Sequence, residues 1–164
     1  MNYQEGTVPI NNGLVLLDGI PLHPLIIHLT VVALPVGSLM LLASLFKKPF
    51  RRYEKATLVV LVVGSVSAFL ASISGRQLSD KIGVSLDHAT AGFYVPIAAT
   101  VMTVFFGLVL LSRNLKDDSS LARGTLVFFV IVSVLATIAT VVLTILAGHS
   151  GAELVWLPKV SWLE

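Results

Sequence analysis

The 164-residue sequence contains no cysteine. Structural disulfides, thiolate metal sites, cysteine-held iron–sulfur clusters and covalent haem attachment through Cys-x-x-Cys-His are thereby excluded. Charge is scarce as well. Only 12% of the residues are Asp, Glu, Lys or Arg, about half the share that coats a soluble domain. The net charge of +2 is too small for a nucleic-acid surface, and no nucleic-acid partner is expected. Residues 1–20 have no Lys or Arg and include Glu5 and Asp18, so they lack the basic start of a cleaved signal peptide. They read instead as an exposed or interfacial arm over residues 1–21 that ends at Gly19-Ile20-Pro21. No P-loop, dinucleotide fingerprint or Ser–His–Asp arrangement is readable.

What the chain has in abundance is apolar residues, 55% of the total. They gather in four runs free of Asp, Glu, Lys and Arg: residues 22–46, 56–74, 89–112 and 124–148. Each is long enough to cross the hydrocarbon core as a helix, about 20 residues at 1.5 Å per residue. Hydrocarbon offers the backbone no water to bond, so such runs must form helices. Short connections make successive helices antiparallel neighbours. The expected fold is all-α, an integral membrane four-helix antiparallel bundle over residues 22–157 with a C-terminal tail at 158–164. Pro35 and Pro96 fall inside runs one and three and predict kinks there. No internal repeat stands out.

The basic residues are lopsided. Lys47, Lys48, Arg51, Arg52 and Lys55 join runs one and two, and Arg113, Lys116 and Arg123 join runs three and four. The opposite ends hold only Arg76, Lys81 and Lys159. The positive-inside rule places the basic loops in the cytoplasm and both termini outside, as expected for a multi-pass membrane protein. Run two carries small residues four apart, Gly64, Ala68 and Ser72, with Ser67, Ala71 and Gly75 beside them. Such faces allow close helix approach, within the bundle or in a homodimer.

All four histidines, His23, His28, His88 and His149, belong to the outer half. His23, His88 and His149 each lie about 25 residues from an inner basic residue (Lys47, Arg113 and Arg123), about 36–39 Å at helical rise. His28 is about 7–8 Å deeper. Three helices thus bring imidazoles to one end of a bundle, where such folds build metal and cofactor sites. Imidazole is the commonest metal ligand, and an ionisable group at membrane depth is a functional candidate.

Two ligand readings stand side by side. In the first, His28 and His88 hold a haem b, with Ala91 and Gly92 leaving room beside the ring and Arg76 pairing with a propionate or a quinone oxygen. In the second, His23, His88 and His149, with His28 in reserve and Asp87 or Glu153 assisting, hold zinc, copper or iron. Asp87 also fits as a helix N-cap, Glu153 as a solvated surface residue, and Arg76 as a snorkelling cation. The runs hold no Asp or Glu for an ion pathway, which argues against an ion-coupled pump. A structural subunit of a larger membrane complex is the third reading. Each makes the chain an electron-transfer, binding or structural subunit rather than a stand-alone enzyme, with the lipid bilayer as its first partner.

The segment Pro21-Leu22-His23-Pro24-Leu25-Ile26-Ile27-His28 resembles the HPL-x-x-H opening of the DUF2231 family, small bacterial four-span membrane proteins. The tail Gly148-His149-Ser150-Gly151-Ala152-Glu153-Leu154-Val155-Trp156 resembles that family's glycine-rich closing segment, with Trp156 where the family has Tyr and Ala152 where it has Gly. His88 also fits. The resemblance covers about residues 21–157 and marks His23, His28 and His88 as motif residues. Some relatives resemble fusions to Rieske-type iron–sulfur domains, which implies redox work; on the haem reading the chain would pass electrons between a quinone in the bilayer and an outer-side redox partner.

Overall fold

The computed structural model describes residues 16–17, 20–82, 86–115 and 119–160. Most of the expected N-terminal arm lies outside these residues. Two two-residue strands, β1 (Leu16–Leu17) and β2 (Ile20–Pro21), pair antiparallel before the first helix. Four helices follow: α1 (Leu22–Phe46), α2 (Glu54–Ile82), α3 (Leu86–Asn114) and α4 (Ser120–Val160). A 3-10 segment, Lys48–Tyr53, turns α1 into α2. All four helices are long and apolar enough to cross a membrane, so the chain is an all-α membrane four-helix bundle.

Unlike those of a soluble bundle, the helices are apolar on their outer faces as well as inside. On α1, Leu25, Leu29, Val32, Val36 and Leu39 form an exposed stripe, while Thr30, Leu34, Gly37, Ser38, Leu41 and Leu45 are buried. The spacing of both stripes is that of one helical face, and the exposed stripe suits lipid. Leu34, Leu41, Leu61, Met102, Phe106 and Val109 fill the centre. With no hydrophobic drive between helices in lipid, close packing and buried hydroxyls hold them together. A Cβ on Gly37 would meet Leu61, and one on Gly64 would meet Leu34, each at 2.7 Å. Thr30 Oγ1 donates to Ser67 Oγ across α1 and α2 (3.0 Å), and Ser65 and Thr103 bond across α2 and α3 (2.9 Å). The small residues of α2 thus serve the bundle's own packing. Pro35 and Pro96 sit within continuous helices.

The helices outrun the apolar stretches. α2 begins at Glu54 and ends at Ile82, and α4 continues to Val160, about 60 Å in all for α4. Polar residues at a membrane surface continue a helix that the interior has already nucleated. At the basic end, Glu54 of α2 pairs with Arg113 of α3, and Ser119 Oγ caps α4 by accepting from the Ala122 N–H.

The sequence, read alone, shows no repeat, yet the bundle is a duplicated helical hairpin. The buried residues of α1 recur in α3 at one constant shift: Thr30, Leu34, Ser38, Leu41 and Ser44 correspond to Val95, Ala99, Thr103, Phe106 and Val109. Those of α2 recur likewise in α4: Thr57, Leu61, Gly64, Ala68 and Ala71 correspond to Ser133, Thr137, Thr140, Thr144 and Ala147. Few of these pairs are identical, because apolar packing in lipid preserves size and polarity pattern rather than residue type. Packing is densest within each hairpin, α1 on α2 and α3 on α4, less dense between α2 and α3, and, of the four neighbouring pairs, sparsest between α1 and α4.

Candidate functional site: two equivalent histidines in an apolar cavity

The duplication is most exact at the histidine end. His23 opens α1 and His88 opens α3, at equivalent positions. The His23 ring contacts α2, where Nδ1 lies 2.9 Å from the Ala71 carbonyl and 3.3 Å from Ser74 Oγ. The His88 ring contacts α4, where Nδ1 lies 3.1 Å from the Ala147 carbonyl and 3.1 Å from Ser150 Oγ. The receiving segments are Ala71-Ser72-Ile73-Ser74-Gly75 and Ala147-Gly148-His149-Ser150-Gly151. Each follows one pattern, Ala-x-x-Ser-Gly.

Each residue of that pattern has a physical task. The Ala side chain is small, so the histidine ring reaches the backbone carbonyl. The serine hydroxyl donates to carbonyls of its own helix, Ser74 to Ala71 (3.1 Å) and Ser150 to Leu146 (2.8 Å), which turns its lone pairs towards the ring. Glycine supplies the clearance. A Cβ on Gly75 would stand 2.8 Å from His23 Cε1, and one on Gly151 would stand 3.0 Å from His88 Cε1.

A carbonyl can only accept, so Nδ1 of each ring carries the proton. Nε2 is then the nitrogen with the lone pair, the atom a metal coordinates. Metal-bound histidines characteristically donate their other N–H to a carbonyl or carboxylate, which fixes tautomer and orientation. The two ring centroids are 6.4 Å apart and the planes are perpendicular at 89°. They are equivalent residues of the two hairpins, brought side by side.

Around them is a cavity of about 530 Å³ lined from all four helices, within the range of small-molecule and cofactor sites. Its walls are small on three helices: Ala68, Ala71 and Gly75 of α2, Ala89 and Gly92 of α3, and Ala147, Gly148 and Gly151 of α4. Arg76 lies on the cavity's rim, with its guanidinium carbon 5.0 Å from the centre of the Phe93 ring.

The other expected site residues fall differently. His28 lines the same cavity but is exposed, and its Nδ1 donates to the Pro24 carbonyl of its own helix. The ring beside His88 is therefore His23, not His28. Five residues are about 140° around a helix, so one α1 cannot turn both rings to the same neighbour. His149 is exposed and pairs with Glu153 one turn on, Nε2 to Oε1 3.2 Å. It does not join His23 and His88, because Ser150 rather than His149 occupies the inward position on α4. Asp87 lies in the first turn of α3, and its side chain is outside the described residues. Among the described residues, no three His, Asp or Glu gather in metal-binding geometry, so a three-histidine site is not assembled. The missed residues are Ala71, Ser74, Gly75, Ala147, Ser150 and Gly151. Their signal was the twice-written Ala-x-x-Ser-Gly.

The model of the DUF2231 family, described as a predicted membrane protein, matches residues 19–162. The chain belongs to the DUF2231 family. The match takes in both histidines and both Ala-x-x-Ser-Gly segments. No curated protein and no solved structure matches the chain.

Proposed function

We propose that this DUF2231 protein is a haem b-binding electron-transfer subunit of a bacterial inner membrane, in which His23 and His88 would hold the haem iron. The observation that carries the reading is the placement of those rings. Metal–imidazole bonds run about 2.0–2.1 Å and the ring centroid lies about 1 Å behind the ligating nitrogen, so two rings in line on one metal stand roughly 6 Å apart. The observed separation is 6.4 Å. Both rings already present the tautomer that ligation needs, held through Nδ1 by a carbonyl and a serine. Small residues around the pair leave room for a flat, apolar group, and Arg76 on the rim offers a guanidinium for an anionic arm such as a propionate.

Bound there, haem would supply one-electron exchange, with both imidazoles occupied in holding it. The chain's own residues fix ring orientation, exclude water and set the field around the iron. A bare metal ion would need further ligands, and no third His, Asp or Glu among the described residues joins the pair. The positive-inside rule sets the orientation, with the basic loops cytoplasmic and the histidine end outside. A quinone in the bilayer and an outer redox carrier are the matching partners.

An absorption spectrum of the purified protein, oxidised and dithionite-reduced, tests this. A Soret band and a sharp b-type α band are expected. His23→Ala and His88→Ala should each abolish them, while His28→Ala and His149→Ala retain them. A colourless preparation, or loss with His28→Ala but not His23→Ala, would overturn the assignment.

A further inference from the structure

The duplication gives the cavity two equivalent edges, and they differ. Six residues both line the cavity and are exposed at equivalent positions, Pro24 with Ala89, His28 with Phe93 and Ala152 with Arg76. The last two pairs mark the edges, Phe93 and Arg76 at the α2–α3 seam, His28 and Ala152 at the α1–α4 seam. At the first seam Arg76 lies over the Phe93 ring, a cation–π contact that covers the edge. At the second, Ala152 stands where Arg76 has its counterpart, and a methyl group cannot bridge to His28. α1 and α4 also pack more sparsely than α2 and α3. Among the described residues, the α1–α4 seam is therefore the cavity's open lateral mouth.

His28 is the polar group of that mouth. Its Nδ1 proton is committed to the Pro24 carbonyl, so Nε2 is an acceptor. Ile27, Val31 and Gly148, which line the same cavity, are apolar or small. An imidazole exposed at membrane depth on a helix face whose other exposed residues, Leu25, Leu29 and Val32, are apolar is costly unless it serves a ligand. The complementary ligand reaches the site through lipid, has a flat apolar ring and donates one hydroxyl hydrogen bond.

We infer that the α1–α4 mouth binds the ring of a lipid-soluble hydroquinone, with its hydroxyl donating to Nε2 of His28. The choice of a hydroquinone among phenolic ligands rests on the electron-transfer reading of the central site; the mouth itself rests on the asymmetry of the two seams. His28 binds this ligand and does not ligate the metal, which is why it lines the cavity without joining His23 and His88.

The test uses the full chain in lipid nanodiscs, with Trp162→Phe so that the cavity-lining Trp156 is the remaining tryptophan. Tetramethylhydroquinone and its dimethyl ether, which has no hydroxyl to donate, are titrated against Trp156 fluorescence. Saturable quenching by the hydroquinone is expected, with the ether about tenfold weaker. His28→Ala should weaken the hydroquinone to the ether's level, and His28→Phe with Ala152→Arg, which copies the covered seam, should remove saturable quenching. Equal affinity for the two probes, or affinity unchanged in either variant, overturns the inference. Haem absorption is read on the same samples. A colourless protein that binds the hydroquinone through His28 defeats the haem assignment alone, whereas a haem-loaded protein without saturable quenching defeats the mouth alone.

Discussion

At the scale of single residues, the glycines divide into two kinds with opposite expected effects. Gly75 and Gly151 lie against the histidine rings, where an added Cβ would come within 2.8 and 3.0 Å of Cε1. The ring is held from its other side, so Gly75→Ala or Gly151→Ala should push an imidazole off its carbonyl. On the proposed haem reading, bound haem should fall at least about tenfold, with stability lowered by roughly 1–3 kcal/mol, read from the Soret absorbance and a thermal melt on the same sample. Gly92 and Gly148 line the cavity too, but a Cβ there meets nothing within 4 Å. Gly92→Leu or Gly148→Leu should therefore fill the cavity and expel the ligand while the melting temperature of the apoprotein stays within a few degrees. The serines make a finer test. Ser74→Ala and Ser150→Ala remove one of two acceptors at each Nδ1 and leave the carbonyl, so each should retain haem and shift its reduction potential, as loss of an outer hydrogen bond does. That three helices gather histidines at one end was legible by counting residues from the basic loops. Which histidines meet was not, because the choice between His23 and His28 depends on how α1 is rotated, and rotation is set by contacts with α2 such as Gly37 against Leu61.

At the scale of helices, the pairs within a hairpin are locked by reciprocal small-to-large contacts. Leu61 of α2 fills the space over Gly37 of α1, and Leu34 of α1 fills the space over Gly64 of α2. Gly37→Leu or Gly64→Leu should separate α1 from α2 at a cost of about 1–3 kcal/mol, and Gly37→Leu with Leu61→Ala should recover part of it. Thermal unfolding in detergent, followed by circular dichroism, checks both. The four spans were legible because hydrocarbon permits only one backbone arrangement for an uncharged run of that length. Their ends were not. α2 passes through Arg76 and Gln77 to Ile82, and α4 passes through Glu153 to Val160, since polar residues at an interface carry no stop signal. The duplication was hidden for a related reason. Lipid-facing positions accept any large apolar residue, so the conserved pattern survives mainly at Ala-x-x-Ser-Gly and in the sequence of buried positions.

At the scale of the whole molecule, the histidine pair joins the two halves of the duplication. His23 belongs to the first hairpin and His88 to the second, while each ring is anchored to the other helix of its own hairpin. A ligand coordinated by both is a staple between hairpins that otherwise meet through the α2–α3 contact and the sparse α1–α4 seam. Ligand bound only by the assembled state stabilises that state by mass action, about 2.7 kcal/mol at a hundredfold excess over its dissociation constant. The stabilisation should not be spread evenly. Contacts inside each hairpin persist without the ligand, whereas the α1–α4 seam has little else to close it. Extracting the haem should therefore raise amide hydrogen exchange at the histidine ends of α1 and α4, around Pro24–Val31 and Thr144–Ala152, while the basic ends near Glu54 and Arg113, tied by their ion pair, change little. His23→Ala should reproduce the exchange pattern of the extracted protein. Uniform exchange across all four helices on haem loss would mean that the hairpins are not separate units. No change anywhere would mean that the two histidines do not bridge them.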